Sequence, residues 1–244
     1  MAEFSSRAES EHHDHSHRDV TGGWLRPAVF GAMDGLVSNG SLMAGFVGGT
    51  AATGSGRTAV VLAGLAGLVA GAFSMAAGEY TSVASQSELA QAEFDIERRE
   101  LERHPESEAD ELTAIWVRRG VEESLAREVS RQLGRNPAAA LEVHAREELG
   151  VAPGDVPSPW VAAGSSFASF TVGALIPVLP YLFGAQSFVW SAVLSVIALF
   201  AAGAMVSTVT ARTWWYSGSR QLLLGLLAAG VTFLVGSLVG HALG

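Results

Sequence analysis

Long runs of apolar residues are interrupted by one dense polar block, and that contrast predicts the architecture. Five runs each approach the roughly 20 residues that cross a bilayer: about Trp24–Thr50, Thr58–Ala84, Trp160–Phe183, Ser187–Ala211 and Gln221–Ala242. The stretch Thr50–Arg57, with Gly54 and Gly56, turns the first two runs into an antiparallel hairpin, and Phe183-Gly184-Ala185-Gln186 joins the third to the fourth. Ser85–Arg103 contains neither Gly nor Pro, so the second run is predicted to continue as one helix from Thr58 to Arg103, roughly 70 Å long, reaching far beyond a membrane. Pro105 ends it. Helices over Glu106–Arg119, Glu122–Leu133 and Pro137–Leu149 follow, closed by Gly120, Gly134 and Gly150. Pro177 and Pro180 predict a kink in the third span. The expectation is an all-α membrane protein with five transmembrane helices and a cytoplasmic helical insert between helices 2 and 3. Its parts are a His-rich tail (1–23), helices 1 and 2 (24–85), the acidic insert (86–156) and helices 3 to 5 (157–244).

Charge sharpens the division. The net charge is −9, and Glu88–Asp155 alone holds 17 acidic residues against 9 arginines. From Pro157 onward the only formal charges are Arg212 and Arg220, with His241 as a third candidate. Arg7, Arg18, Arg26, Arg212 and Arg220 fall on one side of the predicted spans and Arg57 alone on the other. The positive-inside rule then places the N-terminus and the insert in the cytoplasm and the C-terminus outside. Trp24, Trp160, Trp190, Trp214 and Trp215 sit near span ends, where indole rings favour the interface. Cysteine is absent, which removes disulfides and thiolate sites. Residues Met1–Gly23 lack the apolar core of a secretory signal, and the compact length suggests a prokaryotic plasma membrane. The Glu11–His17 cluster reads as a polar tail with weak metal-binding character. An acidic chain of this kind offers nothing to nucleic acid.

The chemistry-bearing residues lie in two places. Asp34 and Glu79 interrupt apolar spans, and a carboxylate in lipid costs at least a few kcal/mol, so it marks a substrate, ion or proton path. Met75 shares a helical face with Glu79, and chain direction puts it level with Asp34; a thioether favours softer metals. In the insert, Glu93, Glu97 and Glu100 form one column at i, i+4, i+7, and Glu108 and Glu111 repeat the device. His144 and Glu148 share a face one turn apart, with Glu147 beside them, and the imidazole biases the set toward transition metals. The plain alternatives are a solvated acidic face for the glutamate columns, an ordinary surface histidine beside an acidic pair for the His144 group, and packing for Met75. Small residues recur at four-residue spacing in Gly31/Gly35, Gly45/Gly49, Gly67/Gly71, Ser74/Gly78 and Gly236/Gly240, which allows close helix approach.

These residues carry a resemblance. Asp34-Gly35-Leu36-Val37, Ser74-Met75-Ala76-Ala77-Gly78-Glu79-Tyr80 with Ser82-Val83-Ala84-Ser85-Gln86, Ala145-Arg146-Glu147-Glu148-Leu149-Gly150 and Ala174-Leu175-Ile176-Pro177 together resemble the vacuolar iron transporter family. The resemblance implies a homodimer of five-helix protomers that exports Fe²⁺ from the cytosol against protons. It implies that the pairs Glu97/Glu100 and Glu108/Glu111, with Glu148, bind metal in the insert, and that Asp34, Met75 and Glu79 form the membrane path. His144 stands where some members have methionine, which leaves Fe²⁺ and Mn²⁺ both open as cargo. No permanent cofactor and no enzymatic activity are implied; the partners are divalent ions, protons and the bilayer. Two rivals stand beside this reading. One is a membrane-anchored iron buffer or sensor without transport. The other is a di-iron oxidoreductase, for which the paired Glu-x-x-His motifs are missing.

Overall fold

The structure is a computed structural model and describes residues 23–50, 56–208, 210 and 212–243. The His-rich cluster of the N-terminal tail lies outside those residues. Among the described residues the chain is helical throughout, without strands. The order is α1 (Leu25–Thr50), α2 (Gly56–Arg103), α3 (Pro105–Arg118), α4 (Glu123–Leu133), α5 (Pro137–His144), a π turn (Ala145–Leu149), α6 (Pro159–Leu175), α7 (Leu179–Leu182), α8 (Phe188–Val206) and α9 (Trp214–Leu243). Three of these, α2, α8 and α9, contain segments long and apolar enough to cross a membrane. The α6 helix is shorter because Pro177, lacking an N–H, breaks the predicted third span after Leu175.

Helix α1 is the central element and packs against α2, α6, α8 and α9. Its glycines explain how one helix meets so many neighbours. Gly31 and Gly35 lie directly on the α6 backbone between Ser166 and Ala174, and Gly45, Gly48 and Gly49 meet α9 from Thr232 to Ser237. A methyl group on Gly236 would overlap the Gly45 carbonyl, so those two backbones touch with nothing between them. At the opposite end of the bundle from the insert, Arg57 donates to the carbonyls of Tyr181 (3.2 Å) and Ala185 (3.4 Å), satisfying groups at and just beyond the end of α7.

Helix α9 begins at Trp214, seven residues before the expected start at Gln221. The reason is aromatic: Trp214 stacks on Trp215, and both lie edge-on to Phe200 of α8, which fixes this segment as helix despite its polar neighbours. Correspondingly α8 stops at Val206, earlier than the expected Ala211.

The 48-residue α2 runs without interruption from the apolar bundle into the insert. Ser87 Oγ donates to the Pro157 carbonyl (3.1 Å), and Tyr80 packs its ring 4.7 Å from Trp160, so the chain leaves and re-enters the bundle at one level. Beyond that level α2, α3, α4 and α5 enclose a small core of Phe94, Leu112, Ile115, Ala126, Ala140 and Leu141. Local signals set the ends. Pro105 and Pro137 open α3 and α5 at the first turn, and the Glu122 and Asn136 side chains accept from the first free N–H groups of α4 and α5. Gly150, at φ 72°, closes the π turn in the left-handed conformation that glycine adopts without strain.

Candidate metal centre and membrane recess

In the insert, the end of α5 faces the outer half of α2 and the start of α3. His144 is 2 % exposed, and three carboxylates converge on its Nδ1: Glu148 Oε1 at 3.0 Å, Glu97 Oε1 at 3.1 Å and Glu108 Oε2 at 3.8 Å. Ligand atoms of Glu97, Glu108 and His144 all lie within 4.8 Å of one another. Oxygen and imidazole ligands about one divalent transition ion at roughly 2.0–2.2 Å have separations of this order. One ring nitrogen has at most one proton to share among three carboxylates, so the cluster is short of positive charge. Burial, reinforced by Glu148, pushes the Glu97 carboxyl up to about 7, with His144 pulling the other way. Glu108 is raised chiefly by burial, opposed by His144 and reinforced by Glu111, Glu148 and Glu100. A divalent cation relieves both.

The π turn selects which glutamate takes part. At roughly 4.4 residues per turn it holds i+4 near the face of residue i but swings i+3 well away from it. Glu148 therefore stays on His144, whereas Glu147 turns aside and pairs with Arg119 at the end of α3. The remaining candidates are placed as follows. Glu100 is engaged by His104 (2.8 Å), Glu111 is exposed at the rim and acts on Glu97 and Glu108 through its charge, and Glu93 lies one turn away on α2, outside the cluster.

The second site is a recess of about 250 Å³ in the apolar bundle, lined by Asp34, Ser38, Asn39 and Leu42 of α1, Gly67, Gly71, Ser74 and Met75 of α2, and Phe170 of α6. Asp34 and Met75, from antiparallel helices, thus share one cavity. Met75 rests on the apolar cluster of Ala72, Phe170 and Ala174. Gly71 admits the tip of the Phe170 ring, which a methyl group there would overlap. Ser38 Oγ donates to the Asp34 carbonyl (2.6 Å). Among the described residues no cation lies within ion-pair distance of Asp34 or Glu79. Glu79, half-buried, stands one turn further along α2 and does not line the recess. Sequence reasoning missed Ser38, Asn39 and Ser74, although their four- and five-residue offsets from Asp34 and their position next to Met75 were readable. It also missed Arg119, whose role depends on the width of a turn.

A helical membrane protein with a buried carboxylate–imidazole cluster and a carboxylate–thioether recess is a metal-handling membrane protein, and comparison with known proteins agrees. The VIT family profile matches residues 25–237. A vacuolar iron transporter of Acanthamoeba castellanii is 38 % identical over 226 residues, 89 % of this chain and 79 % of that protein. Vacuolar iron transporter 1 of Oryza sativa subsp. japonica is 32 % identical (93 % of this chain, 90 % of the relative), and that of Arabidopsis thaliana 30 % (95 % and 92 %). The chain belongs to the VIT family of membrane metal transporters, and it is a transporter rather than an enzyme.

Proposed function

We propose that this protein exports Fe²⁺, with Mn²⁺ as the alternative cargo, from the cytosol in exchange for protons. The observation that carries the reading is the convergence of Asp34 and Met75 on one recess of the apolar bundle, open at Asp34, with no basic partner within ion-pair distance of the carboxylate among the described residues. A carboxylate so placed holds either a cation or a proton, and alternation between them is antiport. In this reading α1, α2, α6 with α7, α8 and α9 are five spans, the insert and N-terminus face the cytosol, and the C-terminus lies outside. Glu97, Glu108, His144 and Glu148 gather the ion; Glu79 stands between them and the recess along α2. A two-fold homodimer brings a second Asp34 and Met75 to the same ion, which supplies the charge that a dehydrated divalent cation requires. The relatives are named for the vacuole, and the sequence expectation is a prokaryotic plasma membrane; in this reading the insert lies on the cytosolic side of either membrane.

Uptake of Fe²⁺ and Mn²⁺ into proteoliposomes under an imposed and then collapsed pH gradient tests this. Saturable uptake that follows the gradient supports antiport. Absence of uptake of both ions, with metal binding by the insert intact, refutes it and leaves the anchored buffer or sensor.

A further inference from the structure

Asn39 presents a polar atom that the fold itself does not use. Its side chain is 2 % exposed. Nδ2 donates to the Ala174 carbonyl at 2.6 Å. That carbonyl has lost its helical donors: Pro177 has no N–H, and the Val178 N–H goes instead to Leu175 (2.9 Å). The amide group of Asn39 thus caps the break in α6, and this bond fixes which way the carboxamide faces. Oδ1 then points away from α6 toward α2, fully buried and without a hydrogen-bond partner. Capping requires only a donor, so it accounts for one half of this side chain and leaves the other unexplained.

The oxygen lies close against α2, an approach that glycine there permits. A methyl group on Gly67 would lie 2.6 Å from Oδ1. Asn39 and Gly67 both line the recess that contains Asp34 and Met75. Chain direction orders the recess by depth. Along α1, Asn39 is about 7.5 Å beyond Asp34, and along the antiparallel α2, Gly67 is about 12 Å beyond Met75, in the same sense. The Asp34 and Met75 end is nearer the insert, and the Asn39 and Gly67 end is deeper in the bundle.

We propose that Asn39 Oδ1 is an inner ligand on the cation path, a neutral oxygen that receives the divalent ion as it leaves Asp34 and Met75. The proposal rests on the transport reading above and deepens it. A neutral amide oxygen suits this position, since it coordinates a hard or borderline cation yet adds no charge to hold the ion in place. Orientation is fixed beforehand by the Ala174 bond, so the arriving ion needs a small parting of α1 from α2 at Gly67 and no turn of the carboxamide. The break in α6 and the path are then linked through one residue: the proline that orphans Ala174 also aims the ligand.

The test is Fe²⁺ uptake by the full chain in proteoliposomes, resolved into KM and maximal rate, with the melting temperature of each variant in detergent as companion. Asn39→Leu removes both the cap and the ligand. Gly67→Ala keeps the Asn39 side chain but sets a methyl group 2.6 Å from both Oδ1 and Leu42 Cδ2, so α1 and α2 must shift to take it. The expected result is a KM raised ~10-fold in both, the scale on which metal-site groups act, with the melting temperature lowered in both, in Asn39→Leu by loss of the cap and in Gly67→Ala by crowding. A capping residue alone lowers the melting temperature and the maximal rate of Asn39→Leu and leaves both KM values at the wild-type level; that outcome overturns the proposal. Where Asn39→Leu does not fold, Gly67→Ala decides by the same KM criterion. Wild-type protein that carries neither Fe²⁺ nor Mn²⁺ overturns the transport reading instead, a result that the variants do not share with failure of the inner ligand.

Discussion

Glu97→Gln makes the metal centre's electrostatics measurable, because its effects on stability and on binding have opposite signs. The wild-type carboxyl is raised from 4.5 to about 7 with a side chain only 14 % exposed. A shift of that size corresponds to at most about 3 kcal/mol of penalty for ionising Glu97 in the folded insert. Residual solvent access and sharing of the repulsion with Glu108 and Glu148 reduce the expectation to ~1–3 kcal/mol. The sign follows from linkage. Below about pH 4.5 both folded and unfolded chains hold the proton and no stability is lost. As pH rises toward 7 the unfolded chain releases its proton first, so the wild-type insert becomes progressively less stable, and above about 7 the loss is constant. Glutamine keeps the shape and never ionises. Metal-free Glu97→Gln is therefore expected to be more stable than wild type by ~1–3 kcal/mol at pH 8, with the gain shrinking several-fold at pH 5. Hydrogen exchange of the full chain in detergent with chelator present, corrected for intrinsic rates, reads this in α2, α3 and α5. The same variant is expected to bind Mn²⁺ at least ~10-fold more weakly in calorimetry. A variant less protected than wild type at pH 8, or a gain equal at both pH values, refutes the reasoning.

Other consequences are open to the same treatment. Metal affinity of the wild-type insert is expected to fall as pH drops below about 7, where protons compete for Glu97, and a flat calorimetric profile between pH 8 and 6 contradicts this. Glu148→Ala is expected to weaken Mn²⁺ binding ~10-fold or more while Glu147→Ala, already diverted to Arg119, changes it less than ~3-fold; equal effects would disprove the sorting by the π turn. Asp34→Asn is expected to abolish proteoliposome uptake with insert binding unchanged, and full transport by that variant removes the recess from the path. Gly236→Val forces α1 and α9 apart at their closest approach and is expected to destabilise the bundle by ~3 kcal/mol, seen as a lower melting temperature in detergent.

The elements were largely legible because their signals are local. The absence of Gly and Pro from Ser85–Arg103 announced the long α2, Pro105, Pro137 and Gly150 marked the insert helices, and Pro177 marked the break in α6. The aromatic start of α9 was hidden, since Trp214–Tyr216 reads as an interface loop until Phe200 supplies the surface it stacks on. At the sites, periodicity placed His144 over Glu148 and Asp34 level with Met75, because one-turn spacing and antiparallel direction are properties of single helices or of hairpins. It did not separate Glu147 from Glu148, which depends on a π turn, nor gather Glu97 and Glu108 about one imidazole, which depends on the angle at Pro105. Asn39 was out of reach for a similar reason: its role requires a carbonyl 135 positions away to be missing its helical donors.

The unbroken course of α2 also has a mechanical meaning. Met75 and Glu97 sit on one rod, roughly 33 Å apart along its axis. Pivoting that rod by roughly five degrees about its recess end sweeps Glu97 sideways by about 3 Å, more than the length of a metal–oxygen bond. Because His144 and Glu148 are carried by a different helix, such a swing opens the jaws of the cluster without bending any element. Under the proposed transport reading, loading of the inner chamber and release from the outer one are two readings of a single lever, and a reporter pair placed across Glu97 and His144 registers what happens three nanometres away.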